Sequence, residues 1–180
     1  WDTAEGYVAA LEDRPLGPNV AAFIGHSDMR TAVMGLDRAT RKDVRPTRSE
    51  QAEMEQMLAA ALQAGFVGLS SQQLLFDKID GDTCRSRTLP STFARPRELR
   101  RLKNLIRRRG RVLQSGPDIT NPVNVISQVA QSLPVLRRKL KTSLLSAADI
   151  KANRFAIALL NTFSGHIAME YVTGGDLAHF

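Results

Sequence analysis

Short apolar runs alternate with amphipathic helical segments along this chain, and this order is the feature that most constrains its fold. Four runs are predicted to be strands, at residues 19–24, 65–70, 111–116 and 140–145, and a fifth strand is predicted to begin within 167–171. Most of these runs are apolar throughout, which is typical of strands that are buried on both faces of a parallel sheet. The sequence therefore predicts an α/β fold in which helices cover a parallel sheet.

Helix-capping signals support the segments between the strands. Thr3 precedes a helix predicted to extend to Arg14, and Thr47 with Glu50 has the spacing of a capping box. Gly65 stands where that second helix should end. The remaining helices are predicted from Pro96 to Gly110, from Asn121 to Leu133 and from Ser146 to about Thr162, with loops at Asp37–Pro46 and Ser71–Ser91.

A doubly wound sheet and a (β/α)8 barrel both fit this order of elements, and the residues alone leave the choice open. Four strand–helix units are too few to close a barrel, which normally takes about 250 residues. The chain has 180 residues, begins at Trp1 without an initiator Met and ends in the apolar segment 176–180. We therefore expect it to be an incomplete piece of a longer protein.

Composition excludes several classes of protein. The chain is 43% apolar and 24% charged, close to the globular average. No apolar run approaches the roughly 20 residues that span a bilayer, so no membrane partner is expected. Cys84 is the only cysteine, which excludes an intrachain disulfide framework and a Cys-rich metal cluster. A reducing, cytoplasmic location is the expectation that follows.

The formal net charge of +7 is concentrated in one segment. Between Arg95 and Arg111 there are nine Arg or Lys residues and a single acid, Glu98. Such a segment could bind nucleic acid, because phosphate contacts require several basic side chains. However, its Leu and Ile residues must pack against the sheet, and no aromatic residues are interleaved for base stacking. A solvated charged helix is favoured, and no nucleic-acid partner is expected.

In either architecture the working face lies at the carboxyl ends of the strands. The polar residues there are His26, Ser27, Arg30, Ser70, Ser71, Gln72, Gln114, Ser115, Asp118, Ser146 and Asp149. The set is poor in titratable groups, and none of the common metal-binding, nucleophile or phosphate-loop motifs is present. The sequence therefore predicts that this chain alone lacks the groups needed for catalysis, and it indicates no cofactor-binding residues.

His26, Arg30 and Ser70 are the candidate site residues, and His26 and Arg30 each have an alternative role. The imidazole of His26 could bind a metal or carry a proton, or it could be a structural donor that fixes the following loop. Arg30 could hold a substrate carboxylate through two hydrogen bonds, or it could form a salt bridge within the loop. Cys84 could have a lowered pKa beside Arg85 and Arg87, although an inert thiol is favoured. His166 and His179 receive no role.

The first half of the chain contains three distinctive motifs: Gly25-His26-Ser27 followed by Arg30, Glu53-Met54, and the segment Ala64-Gly65-Phe-Val-Gly-Leu-Ser70. In these motifs the chain resembles the N-acyl-D-amino-acid deacylases, or D-aminoacylases, of the amidohydrolase superfamily. The resemblance is good over about residues 1–71. Beyond that point it rests on the order of elements and on Glu98-Leu99, which resembles a helix position of the family.

The resemblance implies that residues 1–180 form about strands three to six of a catalytic (β/α)8 barrel. It also implies zinc-dependent hydrolysis of a C–N amide bond in a carboxylate-bearing small molecule, an N-acyl amino acid. Two expected zinc ligands are missing: Gln114-Ser-Gly116 stands where the family has Thr-His, and Ser146-Ala-Ala148 stands where it has Ser-His-His. Gly116 and Ala147 offer no side-chain lone pair to a metal.

Two hypotheses follow from these departures. The complete protein is either a divergent amidohydrolase whose ligands lie elsewhere, so that zinc remains possible, or a metal-free relative that binds a small anionic ligand without hydrolysis. The sequence does not indicate the substrate or the oligomeric state.

Overall fold

The structure is a computed structural model that describes residues 2–74, 77–80, 84–116, 126, 130, 140–145 and 168–170. In chain order its helices are α1 (Ala4–Glu12), α2 (His26–Met34), α3 (Leu36–Ala39), α4 (Arg48–Gln63) and α5 (Pro96–Arg108), with a 3₁₀ helix at Pro90–Phe93. Its strands are β1 (Phe23–Gly25), β2 (Gly68–Gln72), β3 (Val112–Gly116), β4 (Lys141–Leu145) and β5 (Ala168–Glu170).

The five strands form one parallel sheet in the order β1-β2-β3-β4-β5. This confirms the predicted α/β fold with a parallel sheet. A doubly wound sheet reverses its strand order at a switch point, and the five described strands show no such reversal. Their order is that of a singly wound sheet, the arrangement from which a (β/α)8 barrel is built.

The main core lies between the sheet and the helices α4 and α5. Leu69 of β2 and Leu113 of β3 are paired in register and fully buried, so they share one face of the sheet. The helices contribute apolar residues that repeat at helical spacing, namely Met54, Leu58 and Leu62 from α4 and Leu102 and Ile106 from α5. Each such side chain stabilises the fold by roughly 1.5–3 kcal/mol through burial.

The second strand is fixed at its start by two glycines. Gly65 has a positive φ of 112°, a backbone conformation that side chains disfavour, and it follows the end of α4. Gly68 lies so close to β3 that a Cβ added to it would stand 1.8 Å from the carbonyl oxygen of Val112. The close pairing of β2 and β3 therefore requires glycine at position 68.

Capping confirms α1 and α4 as predicted. The side chain of Thr3 accepts a hydrogen bond from the backbone N–H of Gly6. Thr47 and Glu50 form a complete capping box at the start of α4. Together these contacts satisfy backbone donors that the first turn of a helix leaves without intrahelical partners.

The region after the first strand was predicted wrongly. His26 begins helix α2 directly, whereas a loop was expected there, and the short helix α3 (Leu36–Ala39) overlaps the start of the loop predicted at Asp37–Pro46. The first strand is also shorter than the run 19–24, because only Phe23–Gly25 pair with β2. Strand β2 extends to Gln72, so the long loop begins later than expected, and it contains the 3₁₀ helix.

The later predictions are only partly covered by the described residues. Strands β4 and β5 are present where the apolar runs at 140–145 and 167–171 predicted them. Of the helix predicted from Asn121 to Leu133, only Ile126 and Ala130 are described, and both are helical. The helix predicted from Ser146 lies outside the described residues. None of the helices described is both long enough and apolar enough to cross a membrane.

Candidate functional site

The sheet has two faces with different chemistry. The helix face carries Leu69, Ser71, Leu113 and Ser115, all buried beneath the helices. Because side chains alternate along a strand, the residues between them point to the opposite face. The opposite face carries Gly68, Ser70 and Gln72 from β2 and Val112, Gln114 and Gly116 from β3.

A buried polar network lies on the helix face at the carboxyl ends of the strands. Nδ1 of His26 is 3.0 Å from Oγ of Ser71, and its Nε2 is 2.9 Å from Oε1 of Glu98. Nη1 of Arg30 donates to Oε1 and Oε2 of Glu98 at 2.7 and 2.5 Å. The exposed fractions of His26, Arg30 and Glu98 are 0%, 0% and 4%, so the three charged or titratable groups are sealed from solvent.

Local sequence places the members of this network. The strand β1 passes through Gly25 straight into α2, so that His26 is the first helical residue. His26 and Arg30 are four residues apart and therefore lie on the same side of α2. Glu98 comes from the first turn of α5, 72 residues from His26 in sequence. The network thus joins α2, the end of β2 and the start of α5.

Glu98 is ionised in this network. Burial alone would raise the pKa of its carboxyl group, but the hydrogen bonds and charges of His26 and Arg30 outweigh burial and hold that pKa below its usual value. Arg30 depends on Glu98 in turn, since its Nε and Nη2 are buried without a partner among the described residues. The pair is therefore mutually stabilised, and losing either member would leave a buried charge without its counterion.

The contacts of His26 arrange a serine, a histidine and a carboxylate in the order found in hydrolytic triads. However, Ser71 is only 2% exposed and lies under the helices, where a substrate carbonyl has no access to its oxygen. Glu98 is also engaged by the guanidinium of Arg30, which competes with His26 for the same oxygen. The network is therefore structural, and it fixes α2 and α5 on the sheet.

A second set of contacts, near the end of β2, also holds the helices to the sheet. The hydroxyl of Ser27 donates to Oγ of Ser91 at 2.8 Å and accepts from the backbone N–H of Ser91 at 3.2 Å. The hydroxyl of Ser91 donates to the backbone carbonyl of Gln72. The 3₁₀ helix is thereby joined to both α2 and β2, beside the buried network.

The opposite face carries neutral hydrogen-bonding groups. Oγ of Ser70 donates to Oε1 of Gln114 on the neighbouring strand at 2.9 Å. The amide of Gln72 covers Gly116, where an added Cβ would stand 1.7 Å from Oε1 of Gln72. Oε1 of Gln72 is buried and has no partner among the described residues. These amides and hydroxyls can bind and orient a polar group, but none of them titrates near neutral pH.

The structure separates the three candidate site residues between the two faces. His26 and Arg30 meet in the buried network, and Arg30 does hold a carboxylate, that of Glu98 within the same chain. Ser70 lies on the opposite face with Gln114. Cys84 is a buried free thiol. The remaining candidates Asp118, Ser146, Ala147 and Asp149 lie outside the described residues.

Glu98 is the network member whose role sequence analysis missed. Its position was noticed only as part of the resemblance, because nothing in the local pattern around Glu98 signals a partner 72 residues away. An acid alone among nine basic residues was the available signal. The basic residues next to Glu98 in sequence do not need it as a counterion, whereas the buried Arg30 does.

The basic segment around α5 is not one continuous solvated stripe. Arg101 pairs with Glu55 of α4, and Arg109 donates to the backbone carbonyl of Ala59. Lys103 is almost fully buried, and burial, with a smaller contribution from Arg107, lowers its pKa to about 8. Several of its cations are therefore committed to packing α5 against α4 and the core.

Comparisons with known proteins are consistent with this fold and include enzymes of known function. No family model matches the chain. Over 159 residues it is 48% identical to uncharacterized proteins of Mycobacterium tuberculosis and Mycobacterium bovis. The match covers 87% of this chain and 26% of each relative, so the chain spans about a quarter of their length. Over 65 residues it is 45% identical to an N-acyl-D-glutamate deacylase of Alcaligenes xylosoxydans xylosoxydans, which covers 36% of this chain and 12% of that enzyme.

A solved structure shares the architecture of the chain. It is an N-acyl-D-glutamate deacylase from Bordetella bronchiseptica, crystallised with zinc and a phosphonate inhibitor that mimics the tetrahedral intermediate of the reaction. The TM-score is 0.66, and the match covers 93% of this chain and 33% of the deacylase at 24% sequence identity. At that identity the likeness shows the fold, which is similar to a region of the deacylase.

Proposed function

We propose that this chain is part of an amidohydrolase that hydrolyses a C–N amide bond other than a peptide bond, in an N-acylated amino acid. The observation that carries the proposal is the likeness to the N-acyl-D-glutamate deacylase over 93% of this chain. The partial sequence match to a second deacylase of the same kind supports it. Residues 1–180 would then form consecutive strands of a (β/α)8 barrel, starting at about the third, in a longer protein.

The opposite face of the sheet is the surface on which the chain would meet its substrate. In a barrel the face away from the helices lines the interior, and the carboxyl ends of the strands form the active-site mouth. Ser70, Gln72 and Gln114 lie there and offer an amide donor and amide and hydroxyl acceptors. In this proposal they bind and orient the amide or carboxylate of the substrate.

The described residues do not fit the zinc that the deacylase resemblance implies. By the resemblance, Gly116 at the end of β3 stands where the family has a histidine, and a glycine offers a metal no side-chain ligand. The amide of Gln72 lies over this glycine. No group of three or more His, Cys, Asp or Glu residues in the described part of the chain could hold a metal ion. We therefore derive no catalytic step from a metal held by this chain.

A second candidate function is favoured by the same glycine. If the complete protein lacks zinc, it is a metal-free relative that binds a small anionic molecule without hydrolysing it. Loss of a ligand at Gly116, together with its cover by Gln72, is what such a relative would show. The two candidates differ in turnover and in metal content, while both use the opposite face for binding.

The test measures zinc content and turnover in the complete protein purified without chelator. Hydrolysis is followed as release of free amino acid from N-acetyl-D-glutamate, with the L enantiomer as the matched control. About one or more zinc per chain together with turnover supports the amidohydrolase. Zinc-free protein that binds N-acetyl-D-glutamate without releasing product supports the metal-free relative. Neither binding nor turnover across a panel of N-acyl amino acids would contradict both proposals.

A further inference from the structure

A cavity of about 440 Å³ lies between the first turns of α4 and α5, in the helix layer. Two segments that are far apart in sequence meet there. One segment precedes α4 and includes its first turn, and the other surrounds the start of α5. Its charged lining consists of Arg45, Arg48, Arg95, Arg97, Arg101 and Glu98. Five cations and one anion therefore face a single concave space whose volume lies within the range of small-molecule pockets.

The described residues around this cavity neutralise only part of its positive charge. Glu98, its one carboxylate, is already held by Arg30 and His26 in the buried network. Arg101 is paired with Glu55. No hydrogen bond or ion pair within the described part of the chain involves the side chains of the other four arginines, Arg45, Arg48, Arg95 and Arg97. Like charges gathered in one concavity raise the local concentration of anions.

Backbone donors add to this field from one side. Helix α5 begins at Pro96 with Arg95 as its N-cap, and no side chain caps it. Residues of its first turn line the cavity, so the N–H groups that this turn leaves without intrahelical partners and the positive end of the helix dipole lie beside it. Helix α4 differs, because its capping box already uses the corresponding donors. The arginines supply the positive charge of the cavity, and the start of α5 adds backbone hydrogen-bond donors on one side of it.

We propose that this cavity binds a small molecule that carries phosphate groups with at least two negative charges. Guanidinium groups match phosphate oxygens through paired hydrogen bonds, and several of them around one pocket suit a multiply charged anion. Nucleic acid fits the lining less well, because the site is a concave pocket without aromatic residues for base stacking. The proposal does not depend on the hydrolytic function, since the cavity lies in the helix layer and shares no residue with the opposite face of the sheet.

The experiment titrates pyrophosphate into the complete protein by isothermal calorimetry at low salt. We compare the natural protein with a double variant, Arg48→Gln with Arg97→Gln, which removes two unpaired cations from the cavity. The matched control is Arg100→Gln with Arg108→Gln, two exposed arginines of α5 that do not line it. All four positions are exposed, so folding is expected to survive, and circular dichroism checks that it does.

The expected result is saturable binding that weakens at least about tenfold in the cavity variant and less than about twofold in the control. Inorganic phosphate should bind more weakly than pyrophosphate, because it brings less charge to the same arginines. Absence of saturable pyrophosphate binding would overturn the proposal. An equal loss in both variants would overturn it as well, since it would show only a diffuse field around α5. Tighter binding of a single-stranded oligonucleotide than of pyrophosphate would replace the pocket ligand with nucleic acid.

Discussion

The two faces of the sheet carry different chemical groups near the carboxyl ends of the strands, although neighbouring residues of the same strands form both faces. On the helix face His26, Arg30 and Glu98 form a sealed network of charged and titratable groups. On the opposite face Ser70 and Gln114 form a neutral, half-buried contact. The titratable groups of this network are therefore used for packing, while the contact between β2 and β3 on the opposite face is uncharged.

The residues that carry the resemblance to the deacylases and the departure from it fall on different faces of the sheet. His26 and Arg30, which carry the resemblance most clearly, fix the helices to the sheet. The departure within the described residues falls on the other side, at Gly116, which the amide of Gln72 covers. A resemblance that rests on packing residues predicts architecture, and function has to be argued from the face that meets the ligand.

The largest expected effect comes from breaking the buried pair. Arg30→Met would leave the carboxylate of Glu98 buried with only His26 as partner, which should lower the free energy of unfolding by about 3–5 kcal/mol. Urea denaturation of the complete protein measures this loss.

The matched control for that variant is Arg38→Met. Arg38 pairs with Glu50 at the surface, where its side chain is 45% exposed, so its loss should cost no more than about 1 kcal/mol. Equal effects of the two variants would show that the buried network contributes no more than a surface pair, and would contradict the structural role assigned to the helix face.

The network should also make stability depend on pH in the acid range. The pKa of Glu98 is lowered in the folded chain, so its contribution to stability is complete above its unfolded pKa of about 4.3 and is lost as the pH falls through the lower folded value. Glu98→Gln removes this contribution at every pH.

Urea midpoints of the natural protein and of Glu98→Gln, compared from pH 5.5 to pH 3, measure this effect. The two midpoints should differ at pH 5.5 and approach one another as the pH falls below the ordinary pKa of glutamate towards the lowered pKa of the folded Glu98 carboxyl group. A constant difference across the range would mean that protonation of Glu98 does not govern the acid response.

Much of the fold was predictable from the sequence, because hydrophobic runs and caps are local signals. Thr47 with Glu50 identified the start of α4, and the apolar runs identified all five strands. Helix α2 was missed because a strand that passes directly into a helix leaves no loop residues to mark the boundary, and Gly25 alone suggested a turn.

The candidate site was predicted only in its parts. The chain order correctly indicated that His26 and Arg30 follow the first strand, whereas Ser70, predicted at the end of the second strand, is the middle residue of β2. Which face each side chain occupies depends on register, and the pairing of Ile24 with Leu69 and of Leu69 with Leu113 is a property of the folded sheet. The partner of Arg30 could not be read from local sequence, since Glu98 lies 68 residues away.

Adjacent serines on β2 give the most direct test of the division between the two faces. Ser71→Ala removes the partner of His26 Nδ1 inside the core and should lower the free energy of unfolding by about 1–3 kcal/mol, without changing the affinity for N-acetyl-D-glutamate. Ser70→Ala breaks a half-buried contact and should cost at most about 1 kcal/mol, while weakening that affinity several-fold. Urea denaturation and ligand titration of both variants in the complete protein provide the measurement. The account predicts this opposite pattern for the two neighbours, and a stability loss at Ser70 with a binding loss at Ser71 would contradict it.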